Sequence, residues 1–148
     1  MRRIVLTLIA TLAPLAASAA SKDGHLGIAQ FMFKGDKAFG CVNPNGDPID
    51  CKITEDTTFK IFRSPDNKHA LVFVTYLPDA TGNAVQSAAI LTEEVETGWG
   101  VKRQLISVGQ DPSSIKFTAK NVTFVSKVAR PSESRINPTG RKTFSLAY

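Results

Sequence analysis

The run HALVFVTYL at 69–77 constrains the fold of this chain more than any other feature, because β-branched and aromatic residues crowd it and polar alternation is almost absent. A strand of that kind needs cover on both faces, so it is expected in the middle of a sheet, beneath a helix or a second sheet. Shorter apolar and β-branched runs recur around it at 26–33, 38–42, 57–63, 101–108 and 115–128, and Phe144, Leu146 and Tyr148 alternate as a terminal strand. Turn residues separate them: Lys34-Gly35-Asp36, Asn43-Pro44-Asn45-Gly46-Asp47-Pro48, Ser64-Pro65-Asp66-Asn67-Lys68, Gly98-Trp99-Gly100, Asp111-Pro112-Ser113-Ser114 and Pro138-Thr139-Gly140. The segment 83–95 reads two ways, since Ala, Gln and Glu favour a helix while Ile90 and Leu91 also suit a strand. The expected fold class is mainly β: a single antiparallel β-rich domain, a sandwich or a curved sheet, with 83–95 as the place for one helix.

The chain is 148 residues long with 43% hydrophobic positions, which suits one domain and excludes disordered, collagen-like and coiled-coil classes. Its start is of another kind. Met1-Arg2-Arg3 is basic, 4–15 is apolar apart from Thr7 and Thr11, and Ala17-Ser18-Ala19 supplies the small residues a signal peptidase reads. Residues 1–19 are therefore expected to be a cleaved secretory signal peptide of bacterial style, leaving 20–148 as a periplasmic or secreted domain. The apolar run falls short of the roughly 20 residues that span a bilayer, and no Cys follows it to carry a lipid.

An exported chain with only Cys41 and Cys51 is expected to join them, closing a loop over the Asn-Pro-Asn-Gly turn. Such closure is worth roughly 2 to 3 kcal/mol in the chain-entropy model. The spacing is not that of a Cys-x-x-Cys redox pair, and with only His25 and His69 elsewhere no zinc pattern forms, so neither a metal nor a cofactor is expected. Catalytic signatures are equally sparse. His25 lies near the expected new N-terminus and His69 opens the most hydrophobic strand, neither in a Gly-x-Ser-x-Gly context, so both read as surface or strand-edge residues. Glu94 and Glu96 would share a face if 83–95 is a strand, and they read as a solvated acidic face.

Charge is distributed unevenly. From residue 20 to Gly98 there are seven Lys or Arg against eleven Asp or Glu; from Trp99 onward there are nine against two. Such asymmetry can steer an anionic partner. The binding candidates are Arg103, Arg130, Arg135, Arg141 and Lys142, within a basic set that also holds Lys102, Lys116, Lys120 and Lys127. Export and the scarcity of aromatic residues among these bases argue against nucleic acid, leaving an envelope polyanion or a partner protein. The first expectation is a non-enzymatic periplasmic or secreted binding or accessory protein. The alternatives are a small periplasmic hydrolase using His69 with a nearby carboxylate, and a structural subunit that assembles by adding its terminal strand, 143–148, to a neighbour.

The stretches FRSPDNKHALVFVTY at 62–76, Gly82-Asn83-Ala84 and RINPTGRK at 135–142 resemble small exported proteobacterial proteins of unknown function. The resemblance implies export and a compact β-rich domain. It transfers no activity, and Asp66-Asn67-Lys68 and Ile136-Asn137 stand where those proteins carry an Asp-Gly-rich loop and a Cys-containing turn.

Overall fold

A computed structural model describes residues 23–148 apart from 80 and 83; the expected signal peptide, 1–19, lies outside the described residues. Helix α1 (Gly24–Gly35) and a 3-10 turn (Lys37–Phe39) precede seven strands: β1 (Thr58–Arg63), β2 (His69–Tyr76), β3 (Gln86–Val95), β4 (Gly98–Ile106), β5 (Gln110–Phe117), β6 (Asn121–Val128) and β7 (Gly140–Ala147). The first four form one antiparallel sheet in the order β1-β2-β3-β4, and the last three form a second, β5-β6-β7. The fold is mainly β, with one helix.

Side-chain alternation along β2 and β3 explains how the layers stack. Val72, Val74, Tyr76, Ala88 and Ile90 pack with Ala29 and Phe33 of α1. Their neighbours Leu71, Phe73, Ala89 and Leu91 pack on the other face with Val122, Phe124 and Leu146 of the second sheet. The four-stranded sheet is thus the middle of three layers, and β2 is central and covered on both faces, as its composition requires.

On the helix side Phe33 makes edge-on contacts with Phe39, Phe59 and Tyr76, at centroid distances of 5.2, 5.8 and 5.0 Å. The Tyr76 hydroxyl donates to the Phe39 carbonyl at 2.7 Å, and burial pushes its pKa up to about 12. The Cys41–Cys51 disulfide is formed, with 5.3 Å between Cα atoms, and both cysteines belong to this core. Within its loop the Asn43 side chain accepts from the backbone N–H groups of Asn45 and Asp47, each at 2.9 Å. The Val42 N–H donates to Pro78 at 2.8 Å, which ties the loop to the end of β2.

Four local expectations change. Residues 26–33 are helical, not a strand: Asp23 caps α1 by accepting from the Leu26 N–H, and His25, Ala29 and Phe33, four residues apart, form its buried stripe. The 38–42 segment, expected as the partner strand of that hairpin, is the 3-10 turn followed by isolated bridges at Val42. The segment 83–95, considered as the one helix, instead contains β3, held between β2 and β4. Ala88 and Ala89 are fully buried there, one against each covering layer. Asp111-Pro112-Ser113-Ser114 is not a turn but lies within β5, whose register with β6 shifts twice around it. Pro112 is tolerated because β5 is an edge strand.

Candidate functional site

At one end of the molecule the start of β3, the link from β4 to β5, the end of β6 and the 129–139 loop border an open hollow of about 270 Å³. The β4–β5 link beside it is built tightly. Val108 is fully buried and its N–H donates to the Ser87 carbonyl at 2.9 Å. On either side Ser107 and Gly109 have φ of 60° and 83°, in the left-handed region. A Cβ on Gly109 would lie 2.2 Å from the Lys127 carbonyl oxygen, so this position needs glycine for space as well as for conformation.

Arg135 reaches the hollow from a loop organised by one carboxylate. Glu133 accepts from the Arg130 N–H at 2.9 Å, the Thr139 N–H at 3.0 Å and the Thr139 hydroxyl at 2.6 Å. The Thr139 hydroxyl foremost, then the two amides, hold its pKa down to about 2. The Gln110 side chain donates to the Arg135 carbonyl at 2.8 Å, which fixes the loop to the start of β5. Arg135, Pro138, Val128, Ala129 and Val85 line the hollow together with Gln86, Ser87 and Gln110.

The other basic candidates fall around this end and along the adjoining edge. Arg103 is opposite Leu91 in the β3–β4 ladder, hence on the side of β4 that faces the second sheet. Lys142 is opposite Ser126 on β7 and lies over the Phe144 ring at 5.0 Å. β4 and β7 touch, and each of these two residues is on the side of its strand that faces the other sheet. Arg141 is opposite Lys127, and Arg130 packs against Gly140 where β7 begins. The two acids in this half are both engaged: Asp111 accepts from Lys127 at 2.7 Å, and Glu133 from its own loop. Among the described residues none of Arg103, Arg130, Arg135, Arg141 and Lys142 forms an ion pair.

His69 is at the opposite end, beside Ser64, Asp66 and Tyr148 in a second hollow. Its ring stacks on Tyr148 at 4.0 Å. The Ser64 hydroxyl donates to Asp66 at 2.5 Å and accepts from the His69 backbone N–H at 3.0 Å, so it is engaged with the turn and with the backbone of His69, not with the imidazole. The Ser64 hydroxyl, followed by the Lys68 amide, holds the Asp66 carboxyl below its usual range.

His25 corrects the surface or strand-edge expectation. It is 2% exposed, with one ring nitrogen 2.9 Å from the Thr92 hydroxyl and the other 2.9 Å from the Asn67 carbonyl, and it packs against Trp99. It joins α1 to β3 and to the β1–β2 turn. Glu94, near the end of β3, and Glu96, just beyond it, are both exposed.

Comparison of the chain with protein-family models, curated proteins and solved structures gave no match. No helix among the described residues is long and apolar enough to cross a membrane. Among the uncharged residues of the hollow, Ser87, Ser107, Gly109 and Gln110 carry no sequence pattern that marks a site. Gly109 beside β-branched Val108 was the one available signal, and it reads as an ordinary turn until the second sheet is assembled.

Proposed function

We propose that this chain is a non-enzymatic exported binding or accessory protein, periplasmic or secreted, that recognises an anionic envelope component or an acidic face of a partner protein. The recognising surface is the end and edge bearing Arg103, Arg130, Arg135, Arg141 and Lys142. The observation that supports this reading is the engagement of both nearby acids, Asp111 by Lys127 and Glu133 by its loop, which leaves those five bases without an ion-pair partner among the described residues. Exposed cations of this kind attract an anion from solution and are screened over about 8 Å at physiological ionic strength. The disulfide supports export, because such bonds persist in oxidising compartments. The hydrolase reading draws less support, since the serine nearest His69 is bound to Asp66 and to backbone rather than to the ring.

The test is capture from a cell-envelope extract by the oxidised chain at low and high salt. A retained component that dissociates at high salt, and is lost when Arg135 and Arg141 are both changed to Glu, is the expected result. Retention unchanged in that double variant overturns the assignment of the surface.

A further inference from the structure

We propose that the hollow beneath Arg135 is a binding site for a small organic anion, a short alkyl carboxylate or its phosphate counterpart, with the charged end on the Arg135 guanidinium and the alkyl body against Val85, Val128 and Pro138. The proposal deepens the reading of the basic surface and rests on it for its cation. It adds a defined subsite, open to solvent on one side, and a ligand class. Size sets the first limit: at about 270 Å³ the hollow lies just below the 300 Å³ at which pockets for drug-sized ligands begin. It suits a molecule of a few carbons, or the end group of a longer one.

Charge sets the second limit. Lys127 also lines the hollow, but its ammonium is taken by Asp111 at 2.7 Å. Arg135 makes no ion pair, and a guanidinium presents a fork that matches carboxylate and phosphate oxygens. The apolar side chains of Val85, Val128 and Pro138 supply no acceptor, and the neutral Gln86, Ser87, Ser107 and Gln110 on the remaining walls bring no opposing charge, so an anion is the one charged partner the guanidinium lacks there.

The site is also pre-organised. The Arg135 backbone is held by Gln110 and by the Glu133-centred loop before any ligand arrives, which lowers the ordering cost of binding. Ser107 and Gly109, which line the hollow, both hold left-handed backbone conformations, at φ of 60° and 83°. A non-glycine residue such as Ser107 keeps that conformation only where its surroundings over-determine it.

The experiment is an NMR titration of the amides of the oxidised chain with hexanoate, hexyl phosphate, hexanamide and inorganic phosphate. Hexanoate or hexyl phosphate is expected to shift Ser87, Gly109, Gln110 and Ala129 saturably, with hexanamide weaker and Arg135→Gln reducing affinity about tenfold, the loss of one charge-assisted contact. Whichever of the two anions binds more tightly names the head group. Hexanamide binding as well as hexanoate, inorganic phosphate binding as well as hexyl phosphate, or no saturable shift at these amides would each overturn the proposal. Arg141→Glu separates the two readings, because Arg141 is outside the hollow. It should leave hexanoate binding intact while weakening capture from the envelope extract. Unchanged capture with hexanoate binding retained counts against the surface alone, and lost hexanoate binding with capture retained counts against the hollow alone.

Discussion

Glu133 shows how much one side chain can organise. Its carboxylate bridges the two ends of the loop that carries Arg135, bonding to Arg130 on one side and Thr139 on the other. Because its folded pKa is depressed to about 2, the ordering it provides is complete above the usual carboxyl range near 4.5 and is lost as the pH falls through about 2. An NMR titration of the Arg130 and Thr139 amides should show a common midpoint near 2. Glu133→Gln should abolish that transition, and a midpoint in the ordinary range would mean that the three bonds do not hold the carboxylate. The basic half of the site is legible in the sequence, since charge can be counted without knowing the fold. Ser87 and Gln110 are not legible, because they meet Arg135 only after strands far apart in the chain have paired.

At the scale of elements, the strands with strong β-branched content at 57–63, 69–77 and 101–108 could be read from composition, while α1 could not. Its buried stripe of His25, Ala29 and Phe33 is helical in spacing, but Ile28 and Phe31 are also apolar, and Phe31 is 70% exposed, so the periodicity is blurred. Gly24 and Gly27 lower the helix propensity further. Gly24 is there for closeness: a Cβ would fall 1.8 Å from the Trp99 indole nitrogen. For 83–95, local propensity is ambiguous and pairing on both sides decides the outcome. The terminal strand is paired along its whole length with β6, and Leu146 is 3% exposed in the core between the sheets. Leu146→Ala should therefore cost about 2 to 5 kcal/mol, measured by urea unfolding, with no change in association state. A variant that stays fully stable but loses an oligomer would favour the strand-addition alternative.

The whole molecule is three layers that share one middle sheet, so neither core is complete without it. Phe124 packs against one face, where it meets Phe73 at 4.8 Å. The only Trp, Trp99, lies beside His25 near the helix layer. Phe124→Ala should lower the denaturation midpoint reported by Trp99 fluorescence, with a loss of about 3 to 5 kcal/mol, in a transition that coincides with loss of far-ultraviolet circular dichroism. Separate transitions by the two probes would mean that the layers unfold independently. The anchors of α1 carry a further consequence. Asp23 pairs with Arg63, and His25 bonds to Asn67 and Thr92, so every one of these attachments is to sequence delivered much later when a chain emerges N-terminus first. A helix of this length with several glycines is marginal alone in water. The helix that opens the described domain is therefore secured only once β3 has been made, and its apolar stripe stays uncovered until the β2–β3 hairpin has closed.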